Sequence, residues 1–149
     1  MSPRTCVATA AIILLSCVTL VAYQSVAQPD VTSLETALSI RALGGVFLAG
    51  VIFSLLNATL EELIFRGVLY DAIEAEWGWR VAIGATAVLF GLGHLHGYPP
   101  GWPGTCLAGV YGVMLGALRA QTGGLVLPII AHVAADATIY VILVRTGAT

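Results

Sequence analysis

The chain has 149 residues, of which 58% are apolar and only 9% charged, and its formal net charge is -2; the mean hydropathy is +0.95. A soluble domain carries roughly 25% charged residues on its exterior, so a water-soluble globule and a disordered tail are both excluded, and with no basic face for phosphates a nucleic-acid partner is excluded too. The cations are six arginines, Arg4, Arg41, Arg66, Arg80, Arg119 and Arg145, too dispersed to form a polybasic lipid-binding cluster.

A membrane-crossing helix needs about 20 mostly apolar residues. By that measure the sequence predicts an all-α, polytopic membrane helix bundle with about five transmembrane helices, forming one membrane domain over residues 1–149. The first covers residues 5–27 and stops at Gln28-Pro29-Asp30. It competes with a signal-peptide reading, because Arg4 precedes an apolar run and Ser25-Val26-Ala27 is a small-residue cleavage pattern; the run is longer than a 7 to 15 residue signal core, so a retained helix is expected.

The second segment starts near Arg41 and runs to about Ile73, ahead of a charged and aromatic stretch in which Trp77 and Trp79 form an interfacial belt. The third covers residues 81–96 and stops at Gly97-Tyr-Pro-Pro-Gly-Trp-Pro-Gly104, where three prolines argue against helix. The fourth covers residues 105–120, with Gly112-x-x-x-Gly116 as a close-packing face, and the fifth residues 125–144. Cys6, Cys17 and Cys106 have no Cys-x-x-Cys spacing and are expected to be packing residues. An N-terminus on the inside puts Arg4, Arg66, Arg80 and Arg119 toward the cytoplasm of an inner membrane, against Arg41 and Arg145 outside.

Six ionisable side chains fall inside these apolar segments: Glu61, Glu62 and Arg66 in the second, His94 in the third, and His132 and Asp136 in the fifth. Each costs about 2.5 to 3.5 kcal/mol near the bilayer centre, so each is a functional candidate. At about 1.5 Å per helical residue, Glu61 lies about 15 to 20 Å from the cytoplasmic surface, His94 about 21 Å, His132 about 12 Å and Asp136 about 18 Å. Three segments thus deliver carboxylates and imidazoles to one level. Residues four apart share a helix face, so Glu62 and Arg66 are expected to pair internally, leaving Glu61 without a local partner. His132 and Asp136 form a second such unit, and Phe90 walls the pocket one turn before His94.

Glu61-Glu62-Leu-Ile-Phe-Arg66, Phe90-Gly-Leu-Gly-His94 and His132-Val-Ala-Ala-Asp136 resemble the three motifs of the CPBP family, the CAAX proteases and bacteriocin-processing (Abi) enzymes. The likeness covers residues 57–140 and makes residues 1–30 an additional N-terminal transmembrane helix. It implies an intramembrane endopeptidase with a site opening into the bilayer, acting on membrane-associated peptides or proteins. In that reading Glu61 activates water with His94 assisting, His132 and residue 136 stabilise the oxyanion, and Glu62, Arg66 and Phe90 support them. Position 136 departs from the family pattern, since its prenyl-protein proteases typically carry Asn there. An Asn amide donates without protonation, whereas Asp donates only when neutral.

No cofactor is expected. The competing chemistry is a catalytic zinc held by His94, His132 and Glu61, a set of two histidines and a carboxylate that leaves a position for water. Two competing functions stand beside the protease: a catalytically silent membrane regulatory or immunity protein that binds a membrane partner, and an ion-coupled transporter. His96 falls on another face near the proline-rich loop and is expected to be interfacial.

Overall fold

The computed structural model describes residues 2–29 and 43–146, so the expected start of the second segment at Arg41 lies outside the described residues. Five helices follow one another without a strand among these residues: α1 (Pro3–Ala27), α2 (Leu43–Glu62), α3 (Tyr70–Gly93), α4 (Gly101–Thr122) and α5 (Val126–Thr146), with a π-helical stretch, Leu63–Leu69, joining α2 to α3. The chain is an all-α membrane helix bundle. Segments Pro3–Ala27, Phe47–Gly93 and Val126–Thr146 are long and apolar enough to cross a bilayer. The glycine-rich α4 is as long, at 22 residues, but is not among them.

The middle segment is not one straight rod. Gly78 has φ 80° and ψ 166° inside α3, a conformation that glycine adopts at little cost. Phe65 and Phe90 would lie about 37 Å apart along an unbroken helix, yet their ring centroids are 5.2 Å apart. The chain therefore doubles back at Gly78, between the exposed Trp77 and Trp79. The expected interfacial stretch is thus a turn built on a single glycine.

The bundle is polar and small inside, apolar outside. Along α2 every fourth residue, Gly50, Ser54, Ala58 and Glu62, is buried, whereas Phe47, Leu48, Leu55, Leu56 and Leu60 are exposed. That inversion suits a lipid solvent, where Leu gains nothing by leaving the tails and helices associate through small residues and polar contacts. α3 packs on α4, α2 on α5, and α1 on α5 and α4. Gly112 and Gly116 make the predicted close approach, to Ala87 and Ile83 of α3, and Gly91 makes a closer one to Thr105.

Three sequence expectations change. α4 begins at Gly101, four residues early, because Pro103 sits in the first turn, where a missing N–H costs no hydrogen bond. α3 ends at Gly93, with His94 as its C-cap, rather than at His96. Cys6 and Cys106 are exposed, so of the three cysteines only Cys17 packs, taking a hydrogen bond from Thr138 Oγ1 at 3.1 Å.

A Cβ on Gly91 would stand 2.7 Å from the carbonyl oxygen of Thr105, whereas one on Gly84 would meet nothing within 4 Å. Gly91→Ala is therefore expected to lose about 1 to 3 kcal/mol through overpacking, and Gly84→Ala to lose none. Thermal unfolding of the two variants in detergent checks this contrast.

Candidate active site

Glu62 is the centre of the site. Its Oε1 accepts from Arg66 Nη1 at 2.8 Å, within one helical turn, and from His132 Nδ1 of α5, also at 2.8 Å. Glu62 and Arg66 have no exposed surface and His132 is 3% exposed. A carboxylate paired with arginine accepts only, so Nδ1 of His132 carries the proton in this bond. The expected Glu62–Arg66 pair is present, but it also reaches across the bundle to orient an imidazole.

Arg66 has further anchors. Its Nη2 donates to the carbonyl oxygen of Gly112 at 3.1 Å, and its guanidinium lies 4.4 Å from the centroid of the Phe90 ring, a favourable cation–π placement. The π-helical stretch also leaves the Arg66 carbonyl available, and Arg119 Nε of α4 donates to it at 3.0 Å. Arg119 continues to Asp71 at 2.7 Å. This use of Arg119 was not legible from spacing, because it depends on the widened helix.

His132 Nε2 faces Glu61 Oε2 and Asp136 Oδ1, each at 3.6 Å. His94 Nε2 faces the same Glu61 oxygen at 3.9 Å. Its Nδ1 is 2.7 Å from the carbonyl oxygen of Phe90, which can only accept, so Nδ1 is the donor and Nε2 is free to take a proton. Glu61 Oε2 is buried and has no hydrogen-bond partner among the described residues. Phe90 lies 4.3 Å from the His94 ring and 5.6 Å from the His132 ring, centroid to centroid, and so walls both imidazoles. His96 is exposed. The structure thus brings together Glu61, Glu62, Arg66, Phe90, His94, His132 and Asp136.

Asn57 joins them without having been singled out by the sequence: its Nδ2 donates to Asp136 Oδ2 at 3.1 Å. Its spacing carried a signal, since it lies one turn before Glu61 on the same helix face. Asp136 is consequently engaged as an acceptor, held between Asn57 and His132. Among the described residues, no group of three or more His, Cys, Asp or Glu side chains is disposed to hold a metal ion.

A cavity of about 160 Å³ adjoins the cluster. His94, His132, Asp136, Phe90 and Tyr111 line its inner end, and Leu15, Thr19 and Leu20 of α1 close its outer side. Its walls are overwhelmingly apolar. Glu61 is not among the lining residues; the two imidazoles to which it is nearest stand on the wall. The N-terminal helix is therefore part of the cavity, a role the sequence did not reveal. Tyr98 ties it to the loop after α3 through a 2.7 Å hydrogen bond to Gln24.

Removing one partner of a buried ion pair strands the other charge and costs about 3 to 5 kcal/mol. Arg66→Met is expected to lose stability on that scale, and adding Glu62→Gln to restore part of it by neutralising the stranded carboxylate. Unfolding of the two single variants and the double variant checks the pairing.

Neither a curated protein nor a solved structure matches the chain. A family model described as type II CAAX prenyl endopeptidase Rce1-like matches residues 43–138, a span that holds all seven clustered residues and most of the bundle. This chain therefore belongs to the Rce1-like family of type II CAAX prenyl endopeptidases.

Proposed function

We propose that the protein is an intramembrane endopeptidase that hydrolyses peptide bonds of membrane-associated, CAAX-type substrates with water activated by Glu61 and His94. The observation that carries this reading is the convergence of two imidazole Nε2 atoms on one unpartnered carboxylate oxygen, at 3.6 and 3.9 Å, beside an apolar cavity. Hydrolysis needs a base within reach of water and donors aimed at the developing negative charge.

A water molecule near Glu61 gives up a proton as its oxygen attacks the scissile carbonyl carbon. Glu61 takes that proton, and His94 Nε2, with its lone pair toward the same carboxylate, relays it to the leaving amine. His132, fixed through Nδ1 by Glu62, acts as an imidazolium protonated on both nitrogens: its Nε2–H turns toward the carbonyl oxygen, and the carboxylate of Asp136 balances its positive charge. In this reading Asp136 serves as an acceptor rather than as the donor an Asn would be. Residues 57–140 form the protease core, α1 within residues 1–30 is an additional N-terminal transmembrane helix, and the N-terminus lies on the cytoplasmic side of the inner membrane. The substrate is a membrane-associated peptide or protein, and no cofactor is required.

In bilayer-reconstituted protein, Glu61→Gln is expected to lower kcat by about 100- to 10,000-fold, the range of a lost general base, with unchanged thermal unfolding. A chelator is expected to leave the native rate unaltered. Full activity of Glu61→Gln would defeat the assignment, and chelator-sensitive activity restored by zinc would move the chemistry to a metal held by His94, His132 and Glu61.

A further inference from the structure

The cavity beside the proposed machinery is lined by a buried hydroxyl that has no hydrogen-bond partner among the described residues. Tyr111 of α4 lines the cavity together with His94, His132 and Asp136. Its ring stands 5.8 Å from the His132 ring at 87°, and its hydroxyl is buried with no hydrogen-bond partner among the described residues. Other buried tyrosines in the bundle are satisfied: Tyr98 donates to Gln24 at 2.7 Å and Tyr70 to Glu74 at 3.3 Å. A buried hydroxyl left unpaired is destabilising, and such groups call for a functional account.

We infer that Tyr111 is a further catalytic residue, whose phenol O–H donates a hydrogen bond to the scissile carbonyl oxygen of a bound peptide. The inference rests on the endopeptidase reading and deepens it.

Two further features of the site point the same way. Asp136 has one oxygen occupied by Asn57 and the other facing His132, so it serves as an acceptor, and His132 alone would be left to donate to an oxyanion. A tetrahedral oxyanion is better held by two preorganised donors than by one. Tyr111 is also preorganised by its neighbour, because the carbonyl of Gly112 accepts from Arg66 Nη2 at 3.1 Å, pinning this turn of α4 to the Glu62–Arg66–His132 network. The donation itself breaks no O–H bond: the phenol keeps its proton while charge gathers on the carbonyl oxygen and returns as the C–N bond cleaves. A tyrosine suits this task, since its high pKa keeps it a donor at neutral pH.

The test is Tyr111→Phe in the full chain reconstituted in bilayers, which removes one oxygen and leaves the ring. The expected result is a kcat about 100-fold lower with KM within about twofold, on the scale of one lost oxyanion donor, and no fall in unfolding temperature. A phosphinic peptide, whose tetrahedral oxygens mimic the oxyanion, is expected to bind the variant about 100-fold more weakly, while an uncleavable amide peptide binds both forms alike. Unchanged kcat and phosphinate affinity would overturn the inference. So would a variant that unfolds, since that result would give the hydroxyl a structural partner. If the native chain cleaves no peptide, the endopeptidase reading fails, and phosphinate affinity still decides Tyr111: equal or absent binding in the two forms overturns it.

Discussion

One carboxylate oxygen organises this molecule. Glu62 Oε1 accepts from Arg66 and from His132, and all three side chains are sealed from solvent. In a low-dielectric interior an unpaired charge is very costly, and further hydrogen bonds help a paired one to be tolerated. Arg66 adds such contacts to Gly112 and Phe90, while its Nε and Glu62 Oε2 have no hydrogen-bond partner among the described residues. Bringing His132 to Glu62 joins α5 to the α2 end of the π-helical stretch, and bringing Arg66 to Gly112 joins α4 to it. The packing of three helices and the aim of the imidazole therefore follow from the same few bonds.

Small residues make that geometry reachable. Helices surrounded by lipid gain little from burying Leu against Leu, so close backbone approach has to come from Gly91, Gly112 and Gly116, each of which would press a Cβ against its neighbour. The π-helical stretch contributes differently. Such stretches recur at functional sites in helices, and here the extra width leaves the Arg66 carbonyl to Arg119 of α4. Phe90 then fills the space between the guanidinium and both imidazoles. Support and chemistry share side chains, which is why Glu62, Arg66 and Phe90 belong beside Glu61 and His94 in any account of the site.

Much of this was legible in the sequence, for identifiable reasons. Charged and imidazole side chains are expensive in a bilayer, so Glu61, Glu62, Arg66, His94, His132 and Asp136 stood out against an apolar background, and helical spacing gave the Glu62–Arg66 pair. The same spacing held the fourfold run Gly50, Ser54, Ala58 and Glu62. Features that depend on backbone departures were hidden. A reversal on Gly78 alone, a π-helical stretch over Leu63–Leu69 and a proline inside the first turn of α4 have no periodic signature. Asn57 has only its place one turn before Glu61 to mark it, and Tyr111 has no such mark: neutral polar groups are common in membrane helices, and a partner in space, or the lack of one among the described residues, is what distinguishes them. The share of α1 in the cavity wall is a tertiary contact that an apolar run does not announce.

The central claim is that Glu62 holds His132 through Nδ1, and solid-state NMR on bilayer samples reads that contact directly. With 15N-labelled histidine and 13C-labelled glutamate, and His132→Asn to assign the signal among the three histidines, the account predicts a protonated Nδ1 of His132 within about 4 Å of a glutamate carboxyl carbon, as a short hydrogen bond requires, and loss of that contact in Glu62→Ala. An Nδ1 of His132 that is unprotonated, or that shows no dipolar contact to a glutamate carboxyl, would contradict it.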